Sequence, residues 1–284
     1  MHSYICVTCG TQFPESAEPP GECPVCEDER QYVPERGQQW TTLDELRVSH
    51  RAEVREELPG LLGIGCEPSF AIGQRALLAD GVLWDCQALL NDEIALAVGS
   101  LDAIAISHPH YYTTMIEWAH RFGCPVYIHA DDRKWVMRPD DAVVFWKGES
   151  FELKTGLTLV RLGGHFPGGQ VLHWAEEGML LTGDIVYVVP DRRYVSFMYS
   201  YPNLIPLPAQ TVLEMARRLA AWDFERIVGA WWGTVVREDG KEVVRRSIDR
   251  YVAAVDGTRV GATAIRDELS SHGFCDPTRA EQHD

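Results

Sequence analysis

Three short segments limit what this chain can fold into. Ser107-His108-Pro109-His110 follows directly on the apolar run Leu101–Ile106, Gly163-Gly164-His165-Phe166-Pro167-Gly168-Gly169 sits further on, and Thr182-Gly183-Asp184 closes the run Gly178–Leu181. In an extended chain, residues two apart point the same way, so His108 and His110 are expected to reach one centre. Glycines around His165 allow left-handed backbone and a close approach to a ligand. A carboxylate at a strand end after glycine, as at Asp184, is well placed to bind a cation. Taken singly, each signal has an ordinary explanation: a lone histidine at a strand–loop junction is packed or solvated, and an Asp after Gly forms a turn. Their order and spacing together carry the weight.

The N-terminus sets a second constraint. Cys6-Val-Thr-Cys9-Gly10 and Cys23-Pro-Val-Cys26 are two tight turns with a thiol at each end. Two such turns complete a tetrahedral site of four sulfurs, and residues 1–35 hold too little apolar mass to fold without a metal as staple. These knuckles resemble rubredoxin, but the loop Gly10–Glu22 is shorter than in that family and looks more like a zinc ribbon. Zinc is the expected ion at Cys6, Cys9, Cys23 and Cys26, with iron the alternative. Cys66, Cys86, Cys124 and Cys275 are scattered and read as inert thiols.

Residues 36–65 read as a polar linker with some helical character, and 66–275 as the main domain. In that domain FAIGQRALLAD, VLWDC, LDAIAISH and PVYIHAD are successive strands bounded by Gly or Asp turns. Met115, Ile116, Ala119 and Phe122 have helical spacing. Strand clusters alternating with single helices predict an α/β layered sandwich, and residues 276–284 read as a flexible tail. The formal net charge of −16 argues against nucleic acid and anionic membranes as partners. No signal-peptide core or apolar span stands out, so a cytoplasmic protein acting on a small molecule is expected. The aromatic, proline-rich stretch Tyr187–Pro208 reads as a pocket roof or a homodimer surface. His129 and His173 read as structural, and His120 as a surface residue.

The motif order, His-x-His after a strand, a glycine-flanked His and then Thr-Gly-Asp, is similar to the metallo-β-lactamase superfamily. The resemblance covers roughly Cys66 to Val255. It implies an αββα sandwich with the site at the edge between the sheets. It also implies that Asp85, closing Val82-Leu-Trp, is a structural support of the metal loop, and that His108, His110, His165 and Asp184 are metal ligands. Departures matter as much. The family's His-x-His-x-Asp-His reads here His108-Pro-His110-Tyr111-Tyr112-Thr113, and Trp232 stands where the last family histidine is expected. Tyr, Thr and Trp supply no anionic oxygen or imidazole near neutrality, so the main site is expected to hold one zinc or iron ion rather than two.

Three functions follow. The first is a mononuclear metallo-hydrolase of a small ester, thioester or lactone, with Tyr111 or Tyr112 stabilising an oxyanion. The second is a non-haem iron oxidoreductase of a sulfur compound, similar to the persulfide dioxygenases. The third is a degenerate member that binds a ligand or partner without turnover. The ligand assignment has a direct test: His165→Ala should lose the main-domain metal and keep the knuckle ion on elemental analysis, and a full metal complement in that variant would disprove the assignment.

Overall fold

A computed structural model describes residues 1–258; Cys275, the end of the expected main domain and the expected tail lie outside them. Alternation along the strands sets the architecture. Val82 and Trp84 point one way and Leu83 the other; Met179 and Leu181 oppose Leu180; Leu159 opposes Val160. Such strands are buried on both faces and must be covered twice.

Two sheets satisfy this. One has seven strands, in spatial order Val143–Trp146, Val126–His129, Ala103–Ala105, Val82–Trp84, Ala76–Ala79, Leu61–Glu67 and Arg51–Leu58, the first four parallel and the rest antiparallel. The other has six, in order Ser150–Lys154, Leu157–Arg161, Gln170–Trp174, Met179–Gly183, Arg226–Gly229 and Val235–Val236. Trp84, Leu77, Leu159 and Leu181 belong to the core between the sheets. Outside the first sheet, Ile94 of helix Asp92–Val98 and Ile116 and Trp118 of helix Met115–Phe122 cover Leu83 and Ile104. Outside the second, Val212 and Met215 of helix Ala209–Leu219 and Val244 and Ile248 of helix Gly240–Val255 cover Leu180 and Ile227. The layers run helix, sheet, sheet, helix, the αββα sandwich expected. Among the described residues, no helix is long and apolar enough to cross a membrane.

Two expectations change. The stretch read as a linker, 36–65, has its helical character in the short helix Leu43–Ser49, but it also holds most of the hairpin Arg51–Leu58/Leu61–Glu67, the edge of the seven-stranded sheet. Its edge strand RAEVREEL presents one half-buried row and one charged row, so it lacks the apolar mass that marks an interior strand. The strand read from Phe70 begins only at Ala76. Ala71 and Gly73 take positive φ, 53° and 78°, which breaks an extended run.

The N-terminal unit is a small sheet, His2–Cys6 between Gln12–Ser16 and Trp40–Thr41, followed in space by the one-turn helix Pro24–Glu27. It lies directly on the main fold. The Gln12 amide donates to the Thr113 carbonyl at 3.3 Å, and Gln12 Nε2 donates to Glu117 at 3.2 Å.

Gly63, in the hairpin, shows how tightly the edge is packed: a Cβ there would stand 2.3 Å from the Trp232 ring. Gly63→Ala is expected to cost about 1–3 kcal/mol in urea unfolding, as overpacking does. Combining it with Trp232→Leu should recover part of that loss; strictly additive costs would show that the two residues do not meet.

Candidate metal centre and cleft

Strand Ala103–Ala105 delivers Ser107 and His108 to the sheet edge. His108 itself is extended (φ −169°), but Pro109–Tyr111 coil into a single 3₁₀ turn. Curling rather than extension therefore brings His110 back beside His108, with ring centroids 5.1 Å apart. The glycine loop carries His165 to the same place, 5.0 Å from each of the other two rings. One nitrogen from each of the three lies within 4.8 Å of the others. Asp184 stands beside this set rather than within it, its Oδ1 3.4 Å from His108 Nε2.

Neighbours fix these groups. Asp85, at φ 62°, accepts the Ser107 amide on Oδ1 at 2.7 Å, and the Ser107 hydroxyl meets His108 Nδ1 at 2.9 Å. This is the supporting role that the resemblance implied. Gly183, at φ 55°, has no space for a side chain, since a Cβ would stand 2.6 Å from the Ser107 hydroxyl. His165 Nδ1 donates to the Tyr199 carbonyl at 2.7 Å, which leaves Nε2 as its lone-pair nitrogen, 3.2 Å from His110 Nδ1.

Burial holds all three imidazoles neutral, His165 down to about 4, as a ligand set requires. Burial pushes Asp184 up to about 7. His108 Nε2, His110 Nε2 and Asp184 Oδ1 are buried without a hydrogen-bond partner. Unpartnered buried donors and acceptors are costly, and a cation among them removes that cost. The residues therefore fit a metal ion. The four cysteines fit one too: their sulfurs converge within 4.8 Å, with Cys6–Cys26 and Cys9–Cys23 at 3.5 and 3.6 Å, far beyond a disulfide. Gly10, at φ 81°, returns its amide to the Cys6 carbonyl, and Gln38 donates to the Cys6 sulfur at 2.9 Å. Among the described residues these are the two clusters able to hold a metal.

The three positions expected to exclude a second ion point three ways. Tyr112 is buried in the core cluster outside the first sheet. The Thr113 methyl packs where a Gly10 side chain would sit. Trp232 covers Gly63 and Gly65, with Arg55 stacked on it at 4.1 Å. Both tyrosines named as catalytic candidates are buried in the core. Tyr111 is the one against the site, 4.3 Å from the His108 ring and with its hydroxyl facing Asp184. Neither lines the cleft.

That cleft, about 290 Å³, opens over His110 and Asp184. Its lining was largely missed in the sequence. Thr8, Arg30, Gln31 and Tyr32 come from the knuckle, Ala71 and Ile72 from the segment read as a strand, and the indole is that of Trp231, not Trp232. Tyr201 and Pro202 place part of the aromatic stretch Tyr187–Pro208 in the cleft wall. His129 and His173 each bond a carbonyl, of Gly148 and Asp223, and half-exposed His120 pairs with Asp140.

Asp132, in the segment YIHADD, was also overlooked. It is buried, and its Oδ1 accepts the Gly168 amide at 2.9 Å, pinning the end of the His165 loop.

No protein-family model matches the sequence. The chain is similar to the Bacillus subtilis (strain 168) protein YmaE, at 48% identity over 269 residues, covering 90% of this chain and 98% of YmaE. Its fold is that of the DIM-1 metallo-β-lactamase (TM-score 0.53, 12% identity, 72% of this chain and 98% of that one). It is also that of rubredoxin oxygen:oxidoreductase from Desulfovibrio gigas (TM-score 0.52, 15% identity, 72% of this chain and 62% of that one).

Burial raises the Asp132 carboxyl to about 7. Arg30 and Arg161 partly offset the burial, and Asp131 adds to it. A folded-state value above the free carboxyl's roughly 3.9 means the protonated form is favoured in the fold. Its contribution is fully present below about pH 4 and is lost as pH rises toward about 7. Asp132→Asn keeps an acceptor without charge. Its stability relative to wild type should therefore improve through that window and level off above it, read by urea unfolding at a series of pH values. A difference that does not change with pH would contradict the assignment.

Proposed function

The chain belongs to the family of the Bacillus subtilis protein YmaE and carries the metallo-β-lactamase fold, and from this we propose that it is a mononuclear metallo-hydrolase of a small, uncharged ester, thioester or lactone. The carrying observation is the convergence of three neutral imidazoles, two with unpartnered Nε2 atoms, beside an unpartnered Asp184 oxygen at the base of one cleft. His108, His110 and His165 would hold the ion, with Asp184 as the anionic fourth donor. Bound there, zinc or iron supplies Lewis acidity, which polarises a carbonyl and acidifies water. Tyr111 packs on the His108 ring and faces the Asp184 carboxylate; Tyr112 serves packing.

The single-ion reading is supported by the residues at 112, 113 and 232, which offer no ligand and are committed elsewhere. The cleft wall supports the substrate class. Among the described residues its one cation, Arg30, is already paired with Asp28 at 2.6 Å, so no free positive charge there awaits an anionic substrate. Of the knuckle residues in the wall, Tyr32 is 50% exposed, so its phenol is the polar contact that the knuckle offers substrate. With Asp184 engaged as a ligand, no second carboxylate among the described residues lines the cleft to take a proton from water. Turnover is therefore slow and favours good leaving groups such as thiols. The unbridged sulfurs suit a reducing, cytoplasmic setting.

The same donors suit ferrous iron. The observation favouring an oxidoreductase of a sulfur compound is the four-cysteine knuckle seated against the cleft. Zinc- and iron-loaded protein should be assayed side by side on p-nitrophenyl acetate, an acyl thioester, a lactone and a persulfide. The proposal expects hydrolysis, lost by about 100-fold or more in His108→Ala with the knuckle ion retained. Tyr32→Phe should raise KM with the metal content unchanged. Oxygen consumption on persulfide without hydrolysis would replace the proposal with the iron reading, and full loading without turnover would leave a binding protein.

A further inference from the structure

The outer side of the His165 loop is covered by the knuckle, and the contact is specific. Arg30 lies four residues beyond Cys26 and is only 8% exposed. Its guanidinium closes a fork on Asp28, Nε to Oδ1 at 2.6 Å and Nη2 to Oδ2 at 2.8 Å. Two parallel bonds fix the plane of the group. So fixed, it stacks over Phe166, 4.2 Å from the ring centroid, and donates from Nη1 to the His165 carbonyl at 3.4 Å.

The imidazole is held from the same side. His165 Nδ1 donates to the Tyr199 carbonyl, and the Tyr199 hydroxyl donates to Glu29 at 2.5 Å. Asn203 Nδ2 donates to the carbonyls of Glu29 and Gln31 at 2.9 and 3.2 Å. Residues 28–31, which leave the second cysteine turn, therefore hold both the main chain and the ring environment of one candidate ligand.

The loop needs such support. Gly163 and Gly164 sit at φ 73° and 83°, and glycine-rich backbone loses more freedom on ordering than any other. A metal binding to a loose loop must bear that ordering cost; a loop ordered beforehand does not impose it.

We infer that the knuckle is a brace for the imidazole centre, with Arg30 as the positioning residue that joins them, so that filling the four-sulfur site raises metal affinity at His108, His110 and His165. By linkage the coupling is reciprocal. It rests on the reading that the imidazoles hold a cation, and it assigns the knuckle no electron-transfer role.

Cobalt reads the two sites apart in the full-length protein after removal of its metals. Four thiolates give an intense charge-transfer band, and nitrogen and oxygen donors give weak visible bands. In Arg30→Ala, the cobalt affinity of the imidazole site is expected to fall by about tenfold or more, the usual effect of removing a partner that orients a ligand, with the thiolate band unchanged. Arg30→Lys, which keeps the charge but not the fork, should recover only part. Affinity within about twofold of wild type in Arg30→Ala would overturn the brace, because orienting contacts of this kind have larger effects. If that variant fails to fold by circular dichroism, Asp28→Asn takes its place with the same expectation and the same refutation. Wild-type protein that fills the thiolates but never the imidazoles would instead sink the metal-centre reading on which the coupling rests.

Discussion

Three imidazoles and a carboxylate are buried together at one sheet edge, and several of their polar atoms have no protein partner. In a low-dielectric interior this is among the costliest arrangements a fold can contain, and it persists only if the surroundings leave those groups no alternative. The surroundings do so by close approach. Gly183 admits the Ser107 hydroxyl, Asp85 ties down the Ser107 amide, and the turn after Pro109 swings His110 back onto His108. Each device comes from a different strand end. The site thus depends on both sheets being in register, and the two-faced apolar strands that set the register are tied to the chemistry through it.

The second organising contact is between the knuckle and this edge. A segment of this size cannot form a core of its own, and its stability comes from what its sulfurs hold and from what it rests on. It rests on the cleft: Thr8, Gln31 and Tyr32 make a wall, and Arg30 reaches beneath the His165 loop. The unit that looks most detachable in the chain is thereby part of the site. The one cation it brings to the cleft wall among the described residues, Arg30, is already neutralised by Asp28.

Much of this was legible beforehand. The four cysteines and the three histidines stand in patterns that point to convergence only when their order and spacing are taken together, and the two-faced strands 82–84 and 179–183 declare a layered sandwich. The illegible parts share one feature: their meaning lies in a partner distant in sequence. Arg51–Leu58 reads as a linker because an edge strand buries little, and its strand character comes from pairing with Leu61–Glu67. Trp231 and Trp232 are adjacent and identical in type, and only the close approach of Gly63 and Gly65 decides which indole packs on the sheet and which faces the cleft. Tyr111 and Tyr112 are adjacent too, and only the fold sets Tyr111 against the His108 ring, facing Asp184, while Tyr112 stays in the core.

What the order of residues determined by itself was the inventory: which donor atoms exist, which strand ends carry them, and that positions 112, 113 and 232 are Tyr, Thr and Trp, which supply no imidazole or carboxylate. Such properties belong to side-chain chemistry and to local periodicity, and both are present in an unfolded chain. Tertiary structure alone decided which of those groups share a space, that the knuckle closes over the cleft, and that Arg30 meets the His165 carbonyl across 135 residues of chain. Contacts at that separation are chosen by the packing of whole layers against one another, and no short window of sequence contains the information that selects them.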